Sequence, residues 1–189
     1  MEAFSDGVIA VIITIMVLEL RVPGHELSNF KAVHSVFPML VIYALSFVHV
    51  GIYWVNHHYI LEDLPAVTHG ILWSNLAFLF TLSLIPFATA WVGERGLTPF
   101  AIALYSICCE LPAISWLVLS TTIGRRTGKR LTGSPGKQVA SSALYLGAIA
   151  VAFYSPTAAI AMIATAAAIW LFPPRHIRRA MRETRNPSG

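Results

Sequence analysis

The stretch FSDGVIAVIITIMVLEL, residues 4–20, carries a carboxylate at Asp6 and then no charge from Gly7 to Leu18. A helix needs roughly 17–25 predominantly apolar residues to cross a bilayer. The run ends in LELRVPG and not at a small-residue cleavage site, so we expect a retained span rather than a signal peptide. The stretch therefore predicts a membrane-spanning helix with a carboxylate in its first turn.

The composition of the whole chain agrees with a membrane protein. Of its 189 residues, 56% are hydrophobic and only 12% are charged, and the mean hydropathy is +0.67. Soluble domains have about 25% charged residues, so this chain could not cover its surface with polar groups in water. No polar linker is long enough to separate two domains, and we expect one compact helical bundle. Cys108 and Cys109 are adjacent on a helix and point about 100° apart, which makes them packing residues and not a disulfide.

Apolar runs predict six transmembrane helices and an all-α, polytopic membrane protein. The first four spans are residues 4–20, 36–59, 71–92 and 99–123. The last apolar region, residues 139–173, is too long for one helix without strong tilt. It contains YSPT near its middle, and the residue before a proline avoids the helical conformation. We therefore divide it at Pro156 into two short spans.

Basic residues give an independent test of this count. Five lie between spans four and five and five follow the last span: Arg125, Arg126, Lys129, Arg130 and Lys137, then Arg175, Arg178, Arg179, Arg182 and Arg185. The positive-inside rule places both groups in the cytoplasm, which requires an even number of spans between them. We therefore expect both termini in the cytoplasm, a six-helix domain over residues 1–174 and a basic cytoplasmic tail over 175–189.

Several functional classes lack the residues that they require. The basic runs have no interleaved aromatic residues for base stacking, so we attribute them to topology beside anionic lipid and expect no nucleic-acid partner. There is no GxSxG motif, glycine-rich phosphate loop or paired-carboxylate motif, and we expect no enzyme, no catalytic residues and no cofactor. No HExxH or cysteine-rich spacing accompanies the histidines, so we expect no metal site.

Ionisable residues within spans are costly and often functional. Glu110 lies in the fourth span, where it either pairs with a histidine or hydroxyl of another helix or forms part of an ion path; we favour the structural role. The second span carries His49 and the adjacent pair His57 and His58. Two adjacent histidines of a helix cannot face one metal ion. We expect a hydrogen bond between helices, with Asn75 of the third span as the partner.

A helical wheel divides the first span into faces. Val11, Ile15 and Leu18 follow the i, i+4, i+7 pattern of a single stripe, with Thr14 beside it and Phe4 in line with it. Asp6 lies more than about 130° away from Val11 on the same wheel. The carboxylate therefore turns toward other helices, and its place in the first turn suits the positive end of the helix dipole. Ordinary packing of the stripe is the alternative that periodicity leaves open.

EAFSDGVIAVIITIMVLELRVP resembles the first helix of the transmembrane protein 175 family of potassium channels, in its prokaryotic single-repeat form. FSDG, here Phe4 to Gly7, is the signature of that family, and YWVNHH and WSNLAFLFTLSLIPF also resemble it. The resemblance implies a six-helix repeat that assembles as a homotetramer, with the first helix of each copy lining the pore and without a TVGYG filter.

The resemblance also implies functional residues. The hydrophobic constriction of the family falls on Val11, Ile15 and Leu18, and its pore-facing threonine on Thr14. Isoleucine or leucine is commoner at the Val11 position, so a wider ring and weaker discrimination of potassium from sodium are expected. The implied activity is passive permeation of potassium ions, with sodium and protons as further candidates, in the bilayer of the bacterial plasma membrane.

The polar residues of the spans lead to two hypotheses. In the first, Ser5, Asp6, His57 and Asn75 form a buried polar network that holds the pore helix in place. The second is an alternative function, a proton-coupled secondary transporter that uses Glu110 and the histidines of the spans.

Overall fold

Seven helical segments make up most of the computed structural model, which describes residues 1–20, 28–62, 64, 66–128 and 135–171. They are α1 (Glu2–Leu18), α2 (Asn29–Glu62), α3 (His69–Leu82), α4 (Leu84–Arg95), α5 (Pro99–Thr127), α6 (Pro135–Val151) and α7 (Pro156–Leu171). The described residues include no β-strand. The all-α prediction is confirmed, and the predicted tail, 175–189, lies outside these residues.

Segments α3 and α4 together form one span. Only Ser83 separates them, and its backbone keeps nearly helical angles, with φ −68° and ψ −10°. The interruption is explained by Pro86, which has no N–H to donate to the carbonyl of Leu82 four residues earlier. The 27 residues from His69 to Arg95 are long and apolar enough to cross a membrane, as are Asn29–Leu61 and Pro99–Thr127.

The division of the last apolar region at Pro156 is confirmed. Helix α6 ends at Val151 and α7 begins at Pro156, where the missing N–H of proline costs nothing in the first helical turn. The hydroxyl of Ser155 accepts a hydrogen bond from the backbone N–H of Ala158 at 3.3 Å and so caps the new helix. With α1 and α2 as the first two spans and α5 as the fourth, the predicted total of six is correct.

Helix boundaries differ most from the prediction at α2, which begins at Asn29 and not at residue 36. Its first turns carry Asn29, Lys31, His34 and Ser35, polar residues that a search for apolar runs leaves out. A helix can continue past the hydrocarbon layer, because its backbone hydrogen bonds are internal there as well. Helix α5 likewise extends to Thr127 and ends at Gly128, whose φ of +68° suits glycine.

The start of α1 and the end of α7 lie at the same end of the bundle. Asp6 of α1 lines a cleft together with Trp170 of α7. The ammonium of Lys137, at the start of α6, donates a hydrogen bond to the Ile169 carbonyl near the end of α7 at 2.9 Å. Because this end carries Lys137, it is the end that the positive-inside rule assigns to the cytoplasm.

Buried apolar side chains form two clusters. One joins α5 to α6 and α7, through residues such as Ile102, Tyr105, Ala148 and Ile163. The other surrounds α1 and includes Ile9, Met16, Phe78, Leu82 and Trp116. Helix α1 therefore packs on one side only, against α2, α3 and α4, and this leaves its opposite side open.

Candidate functional site

The open side of α1 carries the stripe that the helical wheel identified. The side chains of Phe4, Val11, Ile15 and Leu18 are 43–76% exposed in the protomer. The opposite side of the same helix is buried, with Ser5, Ile9, Ile12 and Met16 as its contact residues. The protomer thus holds α1 by one face and presents an apolar stripe on the other.

Thr14 is the polar residue beside this stripe, and it too is exposed. Its hydroxyl donates to backbone carbonyls of its own helix, with distances of 2.9 Å to Ala10 and 3.0 Å to Val11. A hydroxyl that donates its proton in this way keeps its oxygen lone pairs for other partners. The exposed face of α1 therefore offers an oxygen ligand in an otherwise apolar surface.

A chain of three buried side chains attaches the first turn of α1 to α2 and α3. The Asn75 amide nitrogen donates to the Ser5 hydroxyl at 2.9 Å, and the Asn75 amide oxygen lies 2.7 Å from Nε2 of His57. With the amide in this orientation, the His57 ring carries its proton on Nε2. All three side chains are at most 3% exposed. Ser5, Asn75 and His57 are thus brought together as a hydrogen-bonded chain.

Asp6, the fourth residue of the hypothesised network, is placed differently. Its carboxylate accepts a hydrogen bond from Nε1 of Trp54 at 3.0 Å, on the half-exposed side of α1 and away from the Ser5–Asn75–His57 chain. Neighbouring helical residues point about 100° apart, so Ser5 and Asp6 face different surroundings. Trp54 lies in the YWVNHH stretch, one helical turn before His57 and His58, and no role was predicted for it from the sequence.

Glu2, Asp6 and His58 form a cluster that resembles a cation site. Their ligand atoms lie within 4.8 Å of one another, and Nδ1 of His58 is 3.2 Å from a Glu2 carboxylate oxygen. The side chains of Glu2 and His58 are nearly half exposed, and such clusters of exposed groups are common without a metal ion. We assign no metal here, and the absence of a metal site stays a prediction.

An open cleft of about 860 Å³ lies along α1 on the side of Asp6, Ala10 and Ile13, and no residue of the Val11–Ile15–Leu18 stripe lines it. Its walls come from α1 and α2, with the end of α7 closing one side, and they are almost wholly apolar: Ile9, Ala10, Ile13, Phe47, Val48, Ile52, Val55 and Leu171 are among them. Thr14 also lines the cleft. The cleft therefore lies on a different side of α1 from the stripe and is a second apolar surface of the protomer.

Glu110 does not line this cleft. It is 6% exposed, Ser142 of α6 is within hydrogen-bonding reach of its carboxyl group, and its Oε2 has no hydrogen-bond partner among the described residues. The hydroxyl groups of Ser46, Thr89 and Tyr105 form a second buried cluster, with 2.8 Å from Ser46 to each of the other two. No sequence pattern predicted this cluster, because single Ser, Thr and Tyr residues are common in membrane spans.

Comparison with known proteins agrees with these features. Residues 1–86 match the model of the family described as endosomal/lysosomal potassium channel TMEM175. A potassium channel of Chryseobacterium sp. is 40% identical over 97% of both chains, and one of Streptomyces collinus is 32% identical over 62% of this chain and 60% of its own.

A solved structure is also similar to the whole bundle. It is the crystal structure of a lysosomal potassium-selective channel TMEM175 homolog from Chamaesiphon minutus, with a TM-score of 0.78, 27% sequence identity and coverage of 90% of this chain and 94% of that one. Six apolar spans, the FSDG turn and a full-length relative at 40% identity lead to one conclusion. This chain is a multi-pass membrane protein that belongs to the TMEM175 family.

Proposed function

We propose that the chain is one subunit of a homotetrameric, potassium-permeable channel in which α1 of every copy lines the conduction path. The observation that carries this proposal is the division of α1 into a buried face and an exposed stripe of Val11, Ile15 and Leu18. The two relatives compared above are named potassium channels, and the solved relative is titled a potassium-selective channel.

The proposed mechanism follows from the chemistry of the stripe. Around a symmetry axis, each apolar residue would form a ring of four side chains. An ion passing such a ring must shed part of its hydration shell, and the ring closes to ions when its water is expelled. The Thr14 oxygen would contribute a ring of uncharged ligands beside the constriction. Because Val11 is smaller than isoleucine or leucine, its ring would be wide and would discriminate weakly between potassium and sodium.

Asp6 has no part in the proposed path. Its carboxylate is bonded to Trp54, so in this proposal it stabilises the packing of α1 instead of attracting ions. In the same proposal, the Ser5–Asn75–His57 chain also stabilises the packing of α1 and has no part in ion conduction. The location we propose is the bacterial plasma membrane, with lipid against the outer helices.

Single-channel recording on the reconstituted protein tests the proposal. Ile15→Asn places an amide in the constriction, and the amide makes it easier for water to fill the ring. Each reduction of about 1.4 kcal/mol in the free-energy barrier to ion passage raises the rate of ion passage about tenfold. We expect higher conductance and a potassium/sodium reversal potential nearer zero, and the same direction for Leu18→Asn. Val17→Asn is the control, since Val17 is also exposed but lies about 200° around the helix from Ile15.

Two results would decide against this assignment. Unchanged currents in both Ile15→Asn and Leu18→Asn, in folded protein, would mean that the stripe faces lipid. Saturable, proton-coupled flux without single-channel events would favour the alternative secondary transporter, and Glu110 and the histidines would then be its proton carriers. None of the relatives described above is named a transporter, so the channel remains our proposal.

A further inference from the structure

A small polar gap lies between α2, α5, α6 and α7, away from the α1 stripe. Its volume is about 20 Å³. A space of this kind holds a water molecule once it exceeds about 10–15 Å³, provided that polar groups line it. The polar lining residues are His49, Tyr53, Asn56, Gln138, Ser141 and Tyr145. The gap therefore has the size and the lining for one water molecule.

His49 is the residue whose hydrogen bonding is incomplete. Its side chain is only 3% exposed, and its Nδ1 lies 3.4 Å from the Tyr145 hydroxyl. The other ring nitrogen, Nε2, has no hydrogen-bond partner of ordinary geometry among the described residues, although the backbone carbonyl of Cys109 lies near the ring. Buried polar atoms are nearly always satisfied by protein or by ordered water. Because His49 lines the gap, the group that lacks a partner adjoins a space that can supply one.

The His49 ring is held firmly in this position. The rings of Tyr53 and Tyr145 meet it edge-on, with centroid distances of 5.4 Å and 5.5 Å. A tilt of the ring out of its plane would break both contacts and the bond to Tyr145. The two aromatic contacts therefore fix the plane of the His49 ring.

We propose that this gap binds one structural water molecule, hydrogen-bonded to Nε2 of His49. When the Tyr145 hydroxyl donates to Nδ1, the neutral ring carries its proton on Nε2 and donates it to the water. The remaining bonds of the water go to the polar side chains of α2 and α6 around it. The water thus connects α2, which packs against the pore-facing helix α1, with α6 of the other apolar cluster.

Solid-state NMR on the wild-type protein in lipid bilayers tests this directly. In protein labelled with ¹⁵N-histidine, magnetisation from water protons should reach Nε2 of His49, whose signal is assigned by its loss in His49→Gln. His57 is the matched control: it is buried and its Nδ1 lacks a partner among the described residues, but it does not line the gap. Absence of transfer to His49, or equal transfer to both rings, would overturn the proposal. The NMR experiment does not depend on ion conduction.

Discussion

Ser5 and Asp6 are adjacent in the FSDG turn, yet they bond to different helices. The Ser5 hydroxyl accepts from Asn75 in the interior, whereas the Asp6 carboxylate accepts from Trp54 at a half-exposed edge. Together they fix the first turn of α1 against both α2 and α3. Because its first turn is hydrogen-bonded to two different helices, α1 cannot rotate freely about its own axis. The rotation of α1 about this axis determines which of its residues form the exposed stripe.

Among the residues around the first turn of α1, we expect substitution of Asn75 to lower the free energy of unfolding most. Asn75→Ala leaves Nε2 of His57 without its partner in a buried site and removes the donor to the Ser5 hydroxyl, which keeps its own bond to the Met1 carbonyl at 3.2 Å. An unsatisfied buried group costs about 1–3 kcal/mol and a lost hydrogen bond about 1 kcal/mol, so we expect a loss of about 2–4 kcal/mol in the free energy of unfolding. Denaturant unfolding in detergent would measure it. Asn29→Ala, at an exposed position of α2, is the control, and an equal loss in both variants would contradict the network role.

We expect the hydrogen bond of Trp54 to Asp6 to contribute less to the free energy of unfolding than the bonds of Asn75 do. Trp54→Phe removes the Nε1 donor to Asp6 but keeps an aromatic ring, and the bond is partly exposed to solvent. We expect a loss of about 0.5–1 kcal/mol, measured by the same unfolding experiment. Trp73→Phe is a matched control, because among the described residues Nε1 of Trp73 donates its hydrogen bond to His69, one turn away in the same helix. A Trp54 variant as stable as the Trp73 variant would show that the Asp6 contact does not hold α1 in place.

At the scale of elements, the turn between α6 and α7 decides the topology. Four residues, 152–155, connect two antiparallel helices, and Tyr154 at this turn is 92% exposed. Both helices are short for a bilayer, at 17 and 16 residues. Without the break at Pro156, the two basic groups of the chain would lie on opposite sides of the membrane.

Cysteine labelling in whole cells checks this turn. Tyr154→Cys should react from outside with a membrane-impermeant maleimide, whereas Arg126→Cys, in the last turn of α5, should react only after the cells are permeabilised. The native Cys108 and Cys109 are buried and give little background. If Tyr154→Cys required permeabilisation, either the orientation or the count of spans would be wrong.

At the scale of the whole molecule, one protomer cannot enclose a path. Its α1 has one buried face and one open face, so a lined channel requires further copies around an axis. The single six-helix repeat and the exposed stripe of Val11, Ile15 and Leu18 are consistent with assembly in which neighbouring copies cover this surface. We therefore expect a particle of four chains of 20.7 kDa each.

Cross-linking distinguishes the two faces of α1 in that assembly. Leu18→Cys, on the exposed stripe, should form covalent dimers under oxidation or with a short bis-maleimide, since copies of one residue meet around the axis. Ile12→Cys, at 5% exposure against its own protomer, should not. The readout is a denaturing gel, and native mass spectrometry gives the number of chains. Cross-linking of Ile12→Cys alone would invert the assignment of the faces.

The hydrophobicity and charge of the sequence are sufficient to predict six spans, the division of the last apolar region at Pro156 and the two faces of α1. These properties depend on local periodicity and on the cost of polar groups in lipid, which act within one helix. The tertiary structure alone decided that Asp6 bonds to Trp54 and that Ser5, and not Asp6, bonds to Asn75. Those partners are 48 and 70 residues apart. Their contact depends on how separate helices pack and rotate against one another, which no periodicity within a single helix determines.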